Sequence, residues 1–242
     1  MSVSTDLNFC FPVRELSNER VKMTPFKASI HSSPFFSIVS AHPELWAHMP
    51  TGPFQTVQDF DTNFLESVVH RDPGIVLFAI IDKTKPPSAA DGEGELVGMM
   101  SYMSTSSVNL STEIGYIIIL PPYQRTHVNS NAVGLLLQYA LEVPSQGGLG
   151  LRRVQWQCSS MNAPSIRAAE RLGFKKEGIM KWHRVFHGGK DRGKVHNGRE
   201  LPRGSEQDYG RDTVVLGHYW DDWEQGGREK VQAIMDRQQV NY

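Results

Sequence analysis

Cysteine is nearly missing from this chain: Cys10 and Cys158 are the only two in 242 residues. They are too few and too far apart for a disulfide framework or a zinc site, which suits a reducing compartment. Long apolar runs are missing too. None approaches the roughly 18 residues of a membrane span, and the first residues show no basic stretch followed by an apolar one with a small-residue cleavage site. The expectation is a cytoplasmic chain without a membrane partner. Charge of one sign is also lacking, because 25 Lys and Arg balance 26 Asp and Glu to leave a net charge of −1. No global field draws such a chain to nucleic acid or to an anionic surface. Nine histidines and two cysteines spread along the sequence suggest no metal site, and no internal repeat is visible.

What is present is enough apolar material for one large core, 39% of the chain. Val21 and Met23 alternate with Arg20, Lys22 and Thr24 within Val13 to Pro25, which predicts a half-buried first strand. From Ser33 to about Arg71 the apolar spacing turns helical, with Phe36, Val39, Leu45 and Trp46, then Phe60, Phe64, Leu65 and Val68. Pro50-Thr51-Gly52-Pro53 divides them into two helices. Strands follow at Gly74–Asp82, Glu95–Met103 and Thr112–Leu120, with a polar loop over 83–94. Ala132 to Leu141 is apolar nearly all round and predicts a buried helix. Arg153 to Cys158 alternates as a strand, and later strands are expected at Gly178–Phe186 and Thr213–Tyr219.

The stretch Asn162 to Phe174 combines a capping residue, a proline just inside the helix start and a Gly-Phe stop. Ile166, Ala169 and Leu172 share one face, while Arg167, Glu170 and Arg171 turn outward. This segment resembles the last helix of the GNAT acetyltransferase superfamily, in particular its ribosomal-protein (RimJ/RimL-like) branch, whose pattern is N-x-x-S-x-x-x-x-x-x-L-G-F. Asn162, Ser165, Leu172, Gly173 and Phe174 match it. A second segment, Thr112 to Ala132, carries Glu113-Ile114-Gly115-Tyr116 and then a loop and helix start, similar to the branch's E-I-G-Y strand and cofactor loop.

The resemblance implies an α+β fold: a single GNAT-like domain over residues 12–225, with a mixed, mostly antiparallel sheet splayed at its centre and helices on both faces. A long loop at 187–211 and an amphipathic tail at 226–242 complete the organisation. It also implies acetyl-CoA as cofactor and an amine acceptor, small molecule or protein N-terminus, acetylated by direct attack in a ternary complex. Ile118 and Ile119 would bind the pantetheine arm through their backbone, with Asn162 beside it. Gln124, Arg125, Thr126, His127, Val128, Asn129, Ser130 and Asn131 would take the pyrophosphate at a helix N-terminus. The family loop usually carries glycines where this chain has Arg125 and His127, which are left to supply charge or N–H donors instead. Glu113 matches the branch's acidic residue as base for the amine, and Ser165 matches the serine that protonates the leaving thiolate.

Each of these residues also has an ordinary structural use: Glu113 as a strand-end ion pair, Ser165 in a first helical turn, Asn162 as a helix cap. His183 and Tyr219, on late strands, are weaker candidates for the acceptor side, and Trp156 and Trp182 suit core or pocket walls. Two further readings compete. A GNAT-fold module could bind CoA or a protein without catalysis, given the missing loop glycines. Lys190, Arg192, Lys194, Arg199, Arg203 and Arg211 could form a nucleic-acid arm, but Asp191, Glu200, Glu206, Asp208 and Asp212 intersperse them and only Tyr209 offers stacking. No nucleic-acid partner is expected, and the chain is expected to be a monomer or a homodimer.

Overall fold

The computed structural model describes residues 7–237. Eight strands form one sheet: β1 (Leu16–Ser17), β2 (Val21–Pro25), β3 (Val76–Asp82), β4 (Glu95–Ser106), β5 (Ser111–Ile119), β6 (Arg153–Ser159), β7 (Lys175–Phe186) and β8 (Tyr209–Tyr219). Their order across the sheet is β1-β2-β3-β4-β5-β6-β8-β7. Every neighbouring pair is antiparallel except β5 and β6.

Helices cover both faces. On one lie α1 (Ser33–Val39) and α2 (Val57–Phe60), the latter continued by a wide π-helical stretch Asp61–Val69. Phe35, Phe60, Phe64 and Trp46 pack there against Leu77, Ala79, Ile81 and Met99 of the sheet. On the other lie α3 (His127–Leu141), α4 (Ala163–Arg171) and α6 (Arg228–Met235), the last reached through α5 (Trp220–Asp222) and an irregular turn. Leu136, Leu172, Phe174 and Met235 meet Val97, Met100, Val154 and Leu216 in that core. No helix among the described residues is long and apolar enough to cross a membrane.

Several local expectations shift. The first strand is not half-exposed: β2 is buried along its whole length, Lys22 and Thr24 included. Its alternation reports two covered faces, and the Lys22 ammonium is accommodated by Asp91 at 2.7 Å and Glu93 at 2.8 Å. Leu45 and Trp46 lie in a separate 3₁₀ turn, Pro43–Trp46, rather than in the first helix. Just beyond it Gly52 has φ +61°, and a Cβ there would lie 2.6 Å from the Trp46 ring, so this turn closes tightly on the indole. Helix α3 begins at His127, five residues before the apolar run, because Thr126 caps it. β8 begins at Tyr209, so the irregular stretch between the last two strands ends at Asp208. Residues 238–242 of the tail lie outside the described residues.

The site is positioned by a fork in the sheet. β5 and β6 pair only over Ser111–Glu113 and Arg153–Gln155, then part. β5 bends away by a bulge: Ile118 and Gly115 pair with Met99 and Ser101, so three residue steps on β5 face two on β4. Tyr116, inside that bulge, sits at φ +47°, an uncommon conformation for a residue with a side chain. Its ring rests edge-on against Phe64, 4.9 Å away.

Candidate active site

A cavity of about 150 Å³ opens where the strands part. Glu113 and Tyr116 line it from β5, Trp156 and Cys158 from β6, and Asn162 and Ser165 from the start of α4. Arg184 of β7, Arg211 of β8 and the His48–Pro50 turn close the remaining side. Glu113 from one stretch of sequence and Asn162 and Ser165 from another therefore share one cavity.

Asn162 performs the capping role written in its sequence context: its Oδ1 accepts from the Ser165 N–H at 3.1 Å. Gly173 closes α4 at φ +95°, a conformation a Cβ disfavours. Phe174 then enters the core against Trp156, with ring centroids 5.5 Å apart. The helix start is thus fixed at both ends, and Ser165 in its first turn faces the cavity. The Ser165 hydroxyl oxygen accepts from the Trp156 indole N–H at 3.0 Å. With that lone pair engaged, the hydroxyl proton is directed elsewhere.

Glu113 is only 5% exposed. Among the described residues its carboxyl is met by the Gln155 amide, which donates to Oε2 at 3.3 Å. Burial pushes its carboxyl up to about 7, against the pull of the Arg184 and Arg211 charges. A carboxyl poised there can accept a proton at neutral pH, which suits a general base. Cys158 also lies in the cavity beside Ser165, and burial raises its thiol above the ordinary range. It is therefore protonated at neutral pH and not a thiolate nucleophile.

The loop after β5 has a different character. Arg125 stands at φ +61°, so the chain holds the turn that the family assigns to glycine even though the residue has a side chain. Thr126 stabilises the start of α3: its Oγ1 accepts from the Val128 N–H at 3.3 Å and donates to the Tyr123 carbonyl at 2.6 Å. The His127 imidazole turns inward, with Nε2 3.1 Å from Asp82 Oδ1, and burial lowers its pKa. It is neutral at physiological pH and supplies no charge to a phosphate. Val128 is fully buried in the core. Asn131 is 1% exposed and ties three segments together: it donates to the His127 and Met235 carbonyls and accepts from the Asn18 amide at 2.7 Å. Gln124 donates to the Ile119 carbonyl at 3.0 Å, and Asn129 and Ser130 are half-buried in the first turn. Ile118 and Ile119 bury their side chains, while their backbone lies on the edge of β5 that β6 has left.

Other candidates fall elsewhere. Tyr219 lies opposite Arg153 at the closed end of β6 and donates to Glu177 at 2.6 Å, away from the cavity. His183 contacts Thr213 Oγ1 at 3.0 Å. Trp156 is a cavity wall, but Trp182 is 38% exposed on the outermost strand, where the Arg199 guanidinium stacks 4.1 Å over its ring. Residues 187–208, within the long loop expected at 187–211, dock against the fold. Lys194 is buried, donating from Nζ to the Trp46 and Thr51 carbonyls at 2.8 and 2.7 Å. Arg192 donates to the Pro50 and Gly52 carbonyls. Tyr209 stacks on His196 with ring centroids 4.2 Å apart. The loop thus braces the turn that covers the cavity. Among the described residues no group of three or more His, Cys, Asp or Glu is placed to hold a metal ion.

The acetyltransferase (GNAT) domain family matches residues 20–175, and the chain belongs to that family. The fold agrees with it. A GCN5-related N-acetyltransferase from Brucella melitensis superposes with a TM-score of 0.71 at 25% identity, covering 92% of this chain and 85% of that one. Mycobacterium smegmatis RimJ, solved with CoA-disulfide, superposes at 0.64 with 16% identity over 91% and 93% of the two chains. Spermidine N-acetyltransferase from Vibrio cholerae, in complex with CoA and spermine, gives 0.59 at 12% identity over 86% and 99%. These last two speak to fold alone. No curated protein matches the sequence.

Proposed function

We propose that this chain is an acetyl-CoA-dependent N-acetyltransferase that passes acetyl directly to a neutral amine in a ternary complex, in the manner of the RimJ/RimL-like branch. The observation that carries this reading is the shared cavity at the fork, where a carboxyl titrating near neutrality faces a helix-borne hydroxyl.

The backbone of β5 from Gly115 to Ile119 has no strand partner on its β6 side, so it can hydrogen-bond an extended amide-bearing arm as a neighbouring strand would. The backbone N–H groups of the first turn up to Asn129, at the positive end of a 15-residue helix, suit a pyrophosphate. The acetyl thioester then lies between Glu113 and Ser165. Glu113 takes the ammonium proton, directly or through one water, and frees the nitrogen lone pair to attack the thioester carbonyl. Collapse of the tetrahedral intermediate breaks the C–S bond; the Ser165 hydroxyl protonates the departing sulfur and is restored by the second proton that the nitrogen loses as the amide forms. The protonated state of Cys158 favours this direct route over an acyl-enzyme.

Isothermal titration with acetyl-CoA and with CoA tests the reading. Micromolar binding followed by thiol release with an amine panel is the expected result, and failure to bind either ligand refutes it. Binding of CoA with no turnover of any amine would favour the non-catalytic module instead.

A further inference from the structure

The cavity holds more positive charge than acetyl transfer to an amine requires. Arg184 and Arg211 are direct cross-strand partners of β7 and β8, and both line it. Like charges facing each other across an antiparallel pair destabilise it, and among the described residues no carboxylate pairs with either guanidinium. Asp212, next to Arg211 in sequence, points to the other face of β8. There it is engaged by Lys181 at 3.1 Å and Arg199 at 2.6 Å. Arg211 is 5% exposed; one Nη donates to the His48 carbonyl at 3.1 Å, while its buried Nε–H has no hydrogen-bond partner among the described residues. An orphaned buried donor on a cation is costly unless a ligand completes it.

The groups facing the two guanidiniums are few. Glu113 is held only partly ionised by burial, and His48 is pushed toward its neutral form by burial and by Arg211. None of residues 124–131 lines the cavity, so the arginines stand apart from the loop that suits the cofactor's phosphates. The volume, about 150 Å³, is that of a cavity able to hold a benzene-sized molecule.

We infer that Arg184 and Arg211 form a seat for an anionic oxygen group on the acceptor, so that the substrate is a compact amine also bearing a carboxylate or a phosphate. This rests on the acetyltransferase reading and narrows it. Guanidinium forks match both groups in geometry, and the amine end of such a molecule reaches toward Glu113 while its anion lies between the arginines. A polyamine such as the spermine bound by the Vibrio cholerae protein would meet two like charges here.

The test compares thiol release from acetyl-CoA with four small amines: β-alanine, 2-aminoethyl phosphate, β-alaninamide and 1,3-diaminopropane. One of the first two is expected to exceed both others in kcat/KM by about tenfold or more, and which one separates carboxylate from phosphate. Arg184→Gln, at an exposed position that does not threaten the core, should abolish that preference with the KM for acetyl-CoA unchanged. Arg211→Lys, which keeps the charge but loses the fork, should weaken it. Equal or better use of the amide or the diamine overturns the inference. A second measurement does not need turnover: malonate and inorganic phosphate are titrated into the CoA-saturated protein. Binding of one of them that Arg184→Gln weakens supports the seat; binding of neither, or binding unchanged in the variant, overturns it. Failure to bind acetyl-CoA would instead strike the acetyltransferase reading, whatever malonate does.

Discussion

Replacing Glu113 by Gln separates what this residue does for catalysis from what it costs the fold. In the folded protein burial raises its carboxyl from 4.5 to about 7. The folded state therefore binds a proton more tightly than the unfolded chain, and the stability this contributes is fully present below pH 4.5 and lost as pH rises through about 7. At about 1.4 kcal/mol for each tenfold change, ionising Glu113 at pH 8 costs the fold roughly 3 kcal/mol. Glutamine has nearly the same shape and never ionises. The variant should thus be more stable than the parent at pH 8 by up to roughly 3 kcal/mol, and equal to it at pH 4, where the parent is protonated in both states. Urea unfolding at pH 4, 6 and 8, followed by tryptophan fluorescence, reads the difference. The same variant should lose the ascending limb of kcat/KM, which in the parent should rise with pH and level off above about 7. A variant less stable than the parent at pH 8, or one that keeps full activity with the ascending limb intact, would refute the assignment of a buried, proton-accepting carboxyl.

Ser165→Ala should lower kcat by about a hundredfold while leaving the KM for acetyl-CoA within a few-fold, because the hydroxyl acts on the departing sulfur; stopped-flow thiol detection reads this. Arg125→Gly keeps the left-handed turn but removes the guanidinium, and should weaken acetyl-CoA binding about tenfold by isothermal titration; unchanged affinity would remove the phosphate role expected of that side chain. Lys194→Met leaves the Thr51 carbonyl without this donor and takes one of two from the Trp46 carbonyl, which the Met49 N–H also reaches at 3.0 Å, and should cost about 2 kcal/mol. It should also speed limited proteolysis within 187–208, while an unchanged digestion pattern would count against the brace.

The parts of the fold readable from sequence are those settled by neighbours a few residues apart. Asn162, Pro164 and Gly173 begin and end α4 by hydrogen bonds and backbone preferences that reach no farther than four residues. The same stretch, with Glu113, brings three candidate residues into one cavity, through their match to a family pattern. Arg184, Arg211 and His48 were not legible as site residues. They come from three distant segments and meet only because β7 and β8 pair beside a fork and a loop brings the 46–52 turn across it. The buried place of Lys194 was not legible either, because the Trp46 and Thr51 carbonyls that receive it lie in a distant segment. His127 illustrates the converse. Its position in the loop suggested a phosphate ligand, and only the three-dimensional approach of Asp82 shows where the imidazole goes.

The short contact between β5 and β6 makes the sheet two blades joined by a three-residue seam. Past Glu113 and Gln155, each blade must keep its own shape without the cross-linking that a continuous sheet gives its middle strands. A guest lying in the gap with hydrogen bonds to β5 acts as a missing rung between the blades as well as a reactant. Occupancy and rigidity of the centre should therefore rise and fall together, with slowed amide exchange along Gly115–Ile119 as the sign that the two halves have become one piece.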